Sequence, residues 1–409
     1  MKIKLITLGC KLNKYESDCM ANILLKAGYE ITSEEFADIY VINTCAVTQE
    51  SEKKSRQYIA KCNKSNPNCK IIICGCASQN NPDQFKNKKN VFSIIGNEGK
   101  EKILDLISSV TCNIFNFADT YGKISDPHIT STRAYLKIQD GCNRFCSYCL
   151  IPYLRGRTRS RAINECVSEA ERLSAISKEI VLTGIDMSSF VPSMAELMKA
   201  LKNVKSRIRI GSLEESIVDD KLLSTLVSMD NFCPHFHLSL QSGSNTVLKR
   251  MNRHYTVEEY YEKVCLIRKY FPDANITTDI IVGFANETEE EFNETCSFVK
   301  KVAFGQVHIF PYSRRKGTTA DKLYKSDLDM SIKKHRVDIL ENIAEESRIN
   351  YLNTLYGKTY KVLTEDEEDG FVVGYTENYV KVYLPISTNK NEIIDVKIGK
   401  RYKDGVKGE

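Results

Sequence analysis

Residues 138–161 read IQDGCNRFCSYCLIPYLRGRTRSR, with three cysteines at a CxxxCxxC spacing and then four arginines within seven residues. Such a spacing lets one short loop wrap a compact iron–sulfide polyhedron, although thiolates suit zinc as well. A structural zinc site needs a fourth ligand. Neither histidine nor cysteine follows Cys149 within the next 15 residues, and Cys166 sits in a helical pattern. Three ligands leave one iron corner open to an amino and a carboxylate group, which favours a cluster, with zinc as the alternative. Arg155, Arg157, Arg159 and Arg161 alternate, so an extended segment would put them on one face. Guanidinium forks match phosphates, and this predicts contact with an RNA backbone. The competing reading is a solvated face paired to Glu165 and Glu169, or contact with a ligand's carboxylate.

The apolar run 135–139 (YLKIQ) places this loop at the carboxyl end of a strand. Further runs follow at 179–183, 207–211, 236–240, 276–282 and 306–310, with helical patterns between them such as 256–270 and 287–301. Six βα repeats fall short of the eight of a closed barrel, so a partial (β/α)6 barrel is predicted. Its polar carboxyl rim (DGC, GID, SLEES, QSGS, GF, YSRR) is the expected active face. Upstream, runs at 3–9, 38–44 and 70–75 alternate with helix-compatible stretches such as 50–62, predicting an α/β domain with a parallel sheet. Each run ends on or beside a cysteine, Cys10, Cys45 or Cys76. The carboxyl ends of parallel strands share one edge, where three distant thiols can converge. The segment 118–130 reads as a linker, 332–350 as a charged helix and 355–409 as a small all-β module.

Length and charge set the frame. The chain has 409 residues, which predicts two or three domains. A net charge of +5 from 58 basic and 53 acidic residues confines any nucleic-acid surface to a local patch. Fifteen cysteines, with MKIKLITLGC running straight into a strand pattern, predict a reducing cytoplasm rather than a disulfide scaffold. No run of about 18 apolar residues suggests a membrane span. Residues 350–409 hold nine Lys or Arg against ten Asp or Glu, so basicity does not mark that module as an RNA binder.

CNRFCSYC resembles the radical S-adenosylmethionine (SAM) signature, with Tyr148 at the aromatic position before the third cysteine. Together with IPYLRGRTRSR, LSLQSGS (238–244), IIVGFANETEEEF (280–292), FPYSRRKGTTA (310–320), LGCKLNKYES (8–17), INTCAVT (42–48) and CGCASQ (74–79), it resembles the methylthiotransferase family over nearly the whole chain. The resemblance implies an N-terminal methylthiotransferase domain (1–117), a radical SAM domain (128–348) and a C-terminal TRAM RNA-binding module (349–409). It implies two [4Fe-4S] clusters. Cys142, Cys146 and Cys149 would hold the one that binds SAM, and Cys10, Cys45 and Cys76 the auxiliary one, with Cys76 preferred over Cys74 because the family has a glycine–cysteine pair there. Gly184, Asp186, Ser212, Glu214 and Gln241 become candidate SAM contacts, the alternative being that polar residues at strand ends cap the next helix.

The resemblance further implies a cytoplasmic, monomeric transferase that replaces an aromatic C–H by C–SCH3. Its partners would be a tRNA anticodon stem-loop and an electron donor such as flavodoxin or ferredoxin, with no membrane. LGCKLNKYE paired with DGCNRFCSYC points to the branch acting on threonylcarbamoyladenosine at position 37. The branches for isopentenyladenosine and for a ribosomal-protein aspartate are alternatives, as is a noncatalytic iron–sulfur protein that binds RNA or senses redox state. The other nine cysteines read as buried small residues. His235 and His237 flank a strand and read as core or surface residues, with a place on the rim as the alternative, and Tyr375 and Tyr379 read as packing of the small C-terminal core, with stacking on bases as the alternative. The acidic turn Glu365–Asp369 should point away from RNA.

Overall fold

The computed structural model describes residues 1–122 and 124–409; residue 123, within the expected linker 118–130, lies outside the described residues. The N-terminal runs build a six-stranded, all-parallel sheet in the order Glu30–Ile31, Lys2–Thr7, Ile39–Thr44, Lys70–Gly75, Val91–Ile95, Cys112–Asn113. Ile39–Thr44 is buried throughout, as a central parallel strand covered on both faces must be. One apolar cluster, with Tyr15, Cys19 and Leu24 of helix Lys11–Lys26, covers one face. A second, with Ile59 and Cys62 of helix Gln49–Ser65, covers the other. The sequence reading had singled out three of the six strands.

The six central runs form parallel strands at Arg133–Lys137, Glu179–Thr183, Arg207–Ile210, His235–His237, Asn275–Val282 and Gln306–Pro311. They lie in two three-stranded sheets, joined by single bridges at Ile208–Phe232 and Leu213–Leu238, while a bridge at Gln241–Ile280 extends the pairing within the second sheet. The result is the expected open, partial barrel, with one large apolar core between strands and helices. Two of those helices start on capping boxes, Thr256 with Glu259 and Thr288 with Glu291.

A 26-residue helix, Met330–Leu355, leads out of the partial barrel. Leu340 packs in the central core, while Leu352 and Leu355 pack in the core of the last domain. The boundary expected between 348 and 349 therefore falls inside one continuous helix. Beyond it, Thr359–Glu368, Phe371–Thr376, Lys381–Leu384, Ile393–Tyr402 and Gly405–Gly408 close into a small five-stranded barrel.

This small barrel covers the amino ends of the central strands. Glu179 is buried between Arg133 (3.0 Å), Arg207 (2.6 Å) and Arg209 (2.9 Å), and Arg133 also meets Glu365 at 2.5 Å. Burial opposes ionisation of Glu179, yet Arg209, Arg207 and Arg133 outweigh it and hold its pKa down at about 2. Tyr375 and Tyr379 stack on each other at 4.8 Å rather than on the small core, and the Arg209 guanidinium lies 3.9 Å over the Tyr379 ring. Of the run expected as an acidic turn, Glu365 to Glu368 belong to strand Thr359–Glu368, and Glu365 is an interdomain ion-pair partner.

Candidate active site between the two cysteine triplets

In the N-terminal domain, three strand ends present one thiol each. Gly9 turns the chain with φ +93°, and a Cβ there would lie 2.7 Å from Cys45 Sγ, so only glycine lets the Cys10 and Cys45 segments approach this closely. Cys10 then occupies the N-cap of helix Lys11–Lys26 with its side chain making no capping bond. Asn13 Nδ2 pins this corner by donating to Leu8 O (2.7 Å) and Thr44 O (3.1 Å). Gly75, at φ +103°, passes against Thr44 O, where a Cβ would sit 2.5 Å away, and opens the short helix Cys76–Asn80. Cys45 and Cys76 are buried, whereas Cys10 is exposed. Cys74 packs into the opposite core with Tyr15 and Cys19.

Burial pushes the Cys45 thiol up to about 11, and charge on Cys76 and Cys10 pushes the same way. The protein packed around the cavity raises the Cys10 thiol as well, although the residue stays open to that cavity, with Arg155 opposing and Cys76 adding to the rise. In the radical-type loop, burial lifts Cys142 to about 11 and Cys149 to about 12. A cationic iron centre is the counter-charge that offsets such a cost. Five of the six sulfurs also accept N–H donors suited to thiolates. Val47 N donates to Cys45 (3.5 Å), Asn97 Nδ2 to Cys76 (3.5 Å), Arg144 N to Cys142 (3.4 Å), Ile151 N to Cys149 (3.4 Å) and Arg253 Nη1 to Cys146 (3.3 Å). Both donor sets fit an iron–sulfur group.

Cys10, Cys142, Cys146 and Cys149 line one cavity of about 1060 Å³, which suffices for more than one small ligand. The sequence-derived rim residues Tyr148, Gly184, Asp186, Ser212, Glu214 and Gln241 line it too. Asp186 Oδ2 accepts from Arg144 Nε (3.1 Å) and Ser189 Oγ (2.7 Å), while its buried Oδ1 has no protein partner. That leaves an acceptor for a ligand's ammonium. Gln139 Oε1 receives the N–H groups of Ile185 (2.9 Å) and Asp186 (2.8 Å), holding the GID turn open. Glu214 is ion-paired to Arg253, which also donates to Ser239 O at 3.1 Å. Gln241 adopts φ +69° where the fourth strand turns away.

Sequence reasoning missed Arg253, Arg144 and Lys11, which carried no spacing signal. His235 and His237, read as core or surface, stand on the cavity wall with Asp279 and His308. His237 Nε2 lies 3.3 Å from Asp279 Oδ2.

The expectation of an arginine face on RNA is corrected for three of the four residues. Gly156, at φ +74°, separates the short helix Ile151–Arg155 from the two-residue strand Arg159–Ser160, so no extended run sets the four in phase. Arg155 is 1% exposed and reaches Glu16 (2.9 Å), Asp140 (3.2 Å) and Asn13 (2.7 Å). Buried Arg159 meets Glu98 (3.0 Å) and Ala118 O (2.8 Å). Buried Arg161 meets Glu169 (2.8 Å) and Glu165 (3.5 Å). Lys137 joins Glu16 (2.9 Å) to Asp140 (2.7 Å), and Lys100 pairs with Glu16 as well. Only Arg157 of the four is exposed, with its guanidinium 4.6 Å over the Phe145 ring.

A partial six-stranded barrel that presents a CxxxCxxC loop at its carboxyl rim defines a radical SAM enzyme. Residues 136–299 match the Radical SAM superfamily, and residues 2–96 match the family described as Uncharacterized protein family UPF0004. A Bacillus subtilis protein named threonylcarbamoyladenosine tRNA methylthiotransferase MtaB is 39% identical over 98% of this chain and 94% of its own. The chain belongs to the tRNA methylthiotransferase family. A Thermodesulfovibrio yellowstonii protein named tRNA-2-methylthio-N(6)-dimethylallyladenosine synthase is 33% identical over 98% of this chain and 97% of its own. The solved structure of TsrM, a radical SAM methyltransferase from Kitasatospora setae, shares the fold with a TM-score of 0.57 over 76% of this chain and 72% of that one, at 12% identity.

Proposed function

We propose that the protein converts threonylcarbamoyladenosine at position 37 of tRNA to its 2-methylthio derivative. The observation that carries this reading is the convergence of Cys10 and the Cys142, Cys146, Cys149 loop on one cavity, in a chain 39% identical to a relative named for that reaction. Cys142, Cys146 and Cys149 hold a [4Fe-4S] cluster beside SAM, and Cys10, Cys45 and Cys76 hold a second one. When bound, these groups supply the one-electron and sulfur chemistry that an unactivated aromatic carbon requires.

The chain's own residues bind and orient. Asp186 offers its free oxygen to the methionine ammonium, Glu214 and Arg253 border the SAM side, and Gln139 fixes the turn that carries Asp186. The barrel walls keep water from the reacting carbon. The adenine enters from an anticodon stem-loop, the small C-terminal barrel acts as a TRAM module on the RNA, a flavodoxin- or ferredoxin-type protein supplies electrons, and the enzyme works as a monomer. Among the described residues no helix is long and apolar enough to cross a membrane.

Nucleoside mass spectrometry of tRNA from a strain lacking the gene tests the reading. The methylthio form of threonylcarbamoyladenosine should vanish while its precursor accumulates. If that form persists and methylthio-isopentenyladenosine is lost instead, the substrate assignment is wrong.

A further inference from the structure

The residue after Cys10 has no role in holding a cluster. Lys11 occupies the first position of its helix and lines the same cavity. Its side chain is exposed by area yet closely surrounded by protein, as a chain opening into a cavity must be. Among the described residues, its ammonium has no hydrogen bond or ion pair. Arg209 and Asp279 line the cavity with it, and each is already engaged, Arg209 with Glu179 at 2.9 Å and Asp279 with His237 at 3.3 Å.

The cavity wall beyond Lys11 is likewise short of acceptors. Arg209 and His235 both line it and are 2% and 5% exposed. Arg209 Nη1 and His235 Nδ1 are buried without a partner. A buried polar nitrogen left without a partner is costly unless a ligand supplies one. The two substrate groups named for the relatives differ in this respect: a threonylcarbamoyl group ends in a carboxylate and carries a hydroxyl, whereas a dimethylallyl group is a hydrocarbon.

We propose that Lys11 is the specificity-determining residue of this cavity and pairs with the carboxylate of the threonylcarbamoyl group, with Arg209 and His235 behind it as the polar end of the substrate pocket. This rests on the function proposed above. Asp279, held by His237 at 3.3 Å, stands on the same wall as an acceptor for the threonyl hydroxyl or the carbamoyl N–H. The helix that places Cys10 thereby also places the group that reads the substrate.

The test uses reconstituted full-length enzyme and two anticodon stem-loops, one carrying threonylcarbamoyladenosine and one carrying its threoninamide analogue, which keeps the shape and loses the charge. Wild-type enzyme should favour the acid roughly 10- to 100-fold in kcat/KM, as expected for one charged hydrogen-bonded pair. Lys11→Met should erase that preference by losing activity on the acid alone, and Lys11→Arg should restore part of it. Iron and sulfide content and 5′-deoxyadenosine formation should match wild type in both variants. The specificity role is overturned if wild-type enzyme treats acid and amide alike, or if Lys11→Met with intact clusters keeps the preference. Wild-type enzyme inactive on both stem-loops overturns the function itself, and this role with it.

Discussion

The two cysteine triplets approach one cavity by opposite routes, one lining it with all three of its residues and the other with Cys10. Cys142, Cys146 and Cys149 sit on one loop, so their spacing is written in eight residues and survives small shifts of the strands. Cys10, Cys45 and Cys76 come from three strand ends, the first and last 66 residues apart in sequence, and two left-handed glycines let those ends meet. The first set is a local motif, and the second is a property of the sheet. Their separation is fixed by Arg155, which bonds Glu16 on the helix that follows Cys10 and Asp140 just ahead of Cys142.

The sharpest way to divide the triplets is functional. Cys149→Ala should reduce 5′-deoxyadenosine formation from SAM by at least about 1000-fold and abolish methylthiolation with it, the scale of losing the group that supplies the chemistry. Cys10→Ala should leave SAM cleavage within a few-fold of wild type while methylthiolation disappears. Methylthiolated product from Cys10→Ala would falsify the division of labour.

Next in size is the link between them. Arg155→Met leaves Glu16 and Asp140 buried with less counter-charge, which should cost about 3–5 kcal/mol in urea unfolding. Surviving protein should uncouple the two activities, making 5′-deoxyadenosine with little product. A stability loss below 1 kcal/mol would show that Arg155 is dispensable to the link.

The amino end of the barrel offers a milder contrast, since no cysteine depends on it. Folding holds Glu179 at about 2, below the usual 4.5, so its contribution is complete above the ordinary carboxylate range and is lost as pH falls toward 2. That contribution is about 3 kcal/mol, roughly half of it gone by pH 3. The urea midpoint should therefore drop between pH 6 and pH 3, and Glu179→Gln, less stable at pH 6, should drop less. An equal fall in both proteins would remove Glu179 as the cause.

The smallest effect belongs to Arg157, the exposed member of its group. Arg157→Ala should weaken tRNA binding a few-fold and lower the salt slope by about 1, with unfolding unchanged. An unaltered slope would place the RNA elsewhere.

These contrasts also explain what could be read in the sequence. The alternating strands and the contiguous cysteine loop are local patterns, and both were legible. The buried fate of Arg155 and Arg159 was not, because their partners Glu16, Glu98 and Asp140 lie in other elements and Gly156 breaks the phase that alternation suggested, whereas the pairing of Arg161 with Glu165 and Glu169 is the competing reading that the sequence offered. Tyr375 and Tyr379 read as small-core packing because the arginines they cover belong to another domain. Strand Val91–Ile95 escaped notice, being short and with its first two residues only partly buried.

The helix Met330–Leu355 has a mechanical consequence. Its first half is rooted in the core around Leu340 and its last turn in the small barrel around Leu355, and the 15 residues from one anchor to the other span about 22 Å as a single strut. Whatever the small barrel grips is held at a set angle and distance from the core of the partial barrel, so the helix serves as a gauge, and a residue inserted between the anchors would rotate the grip by about 100° as well as lengthen the reach.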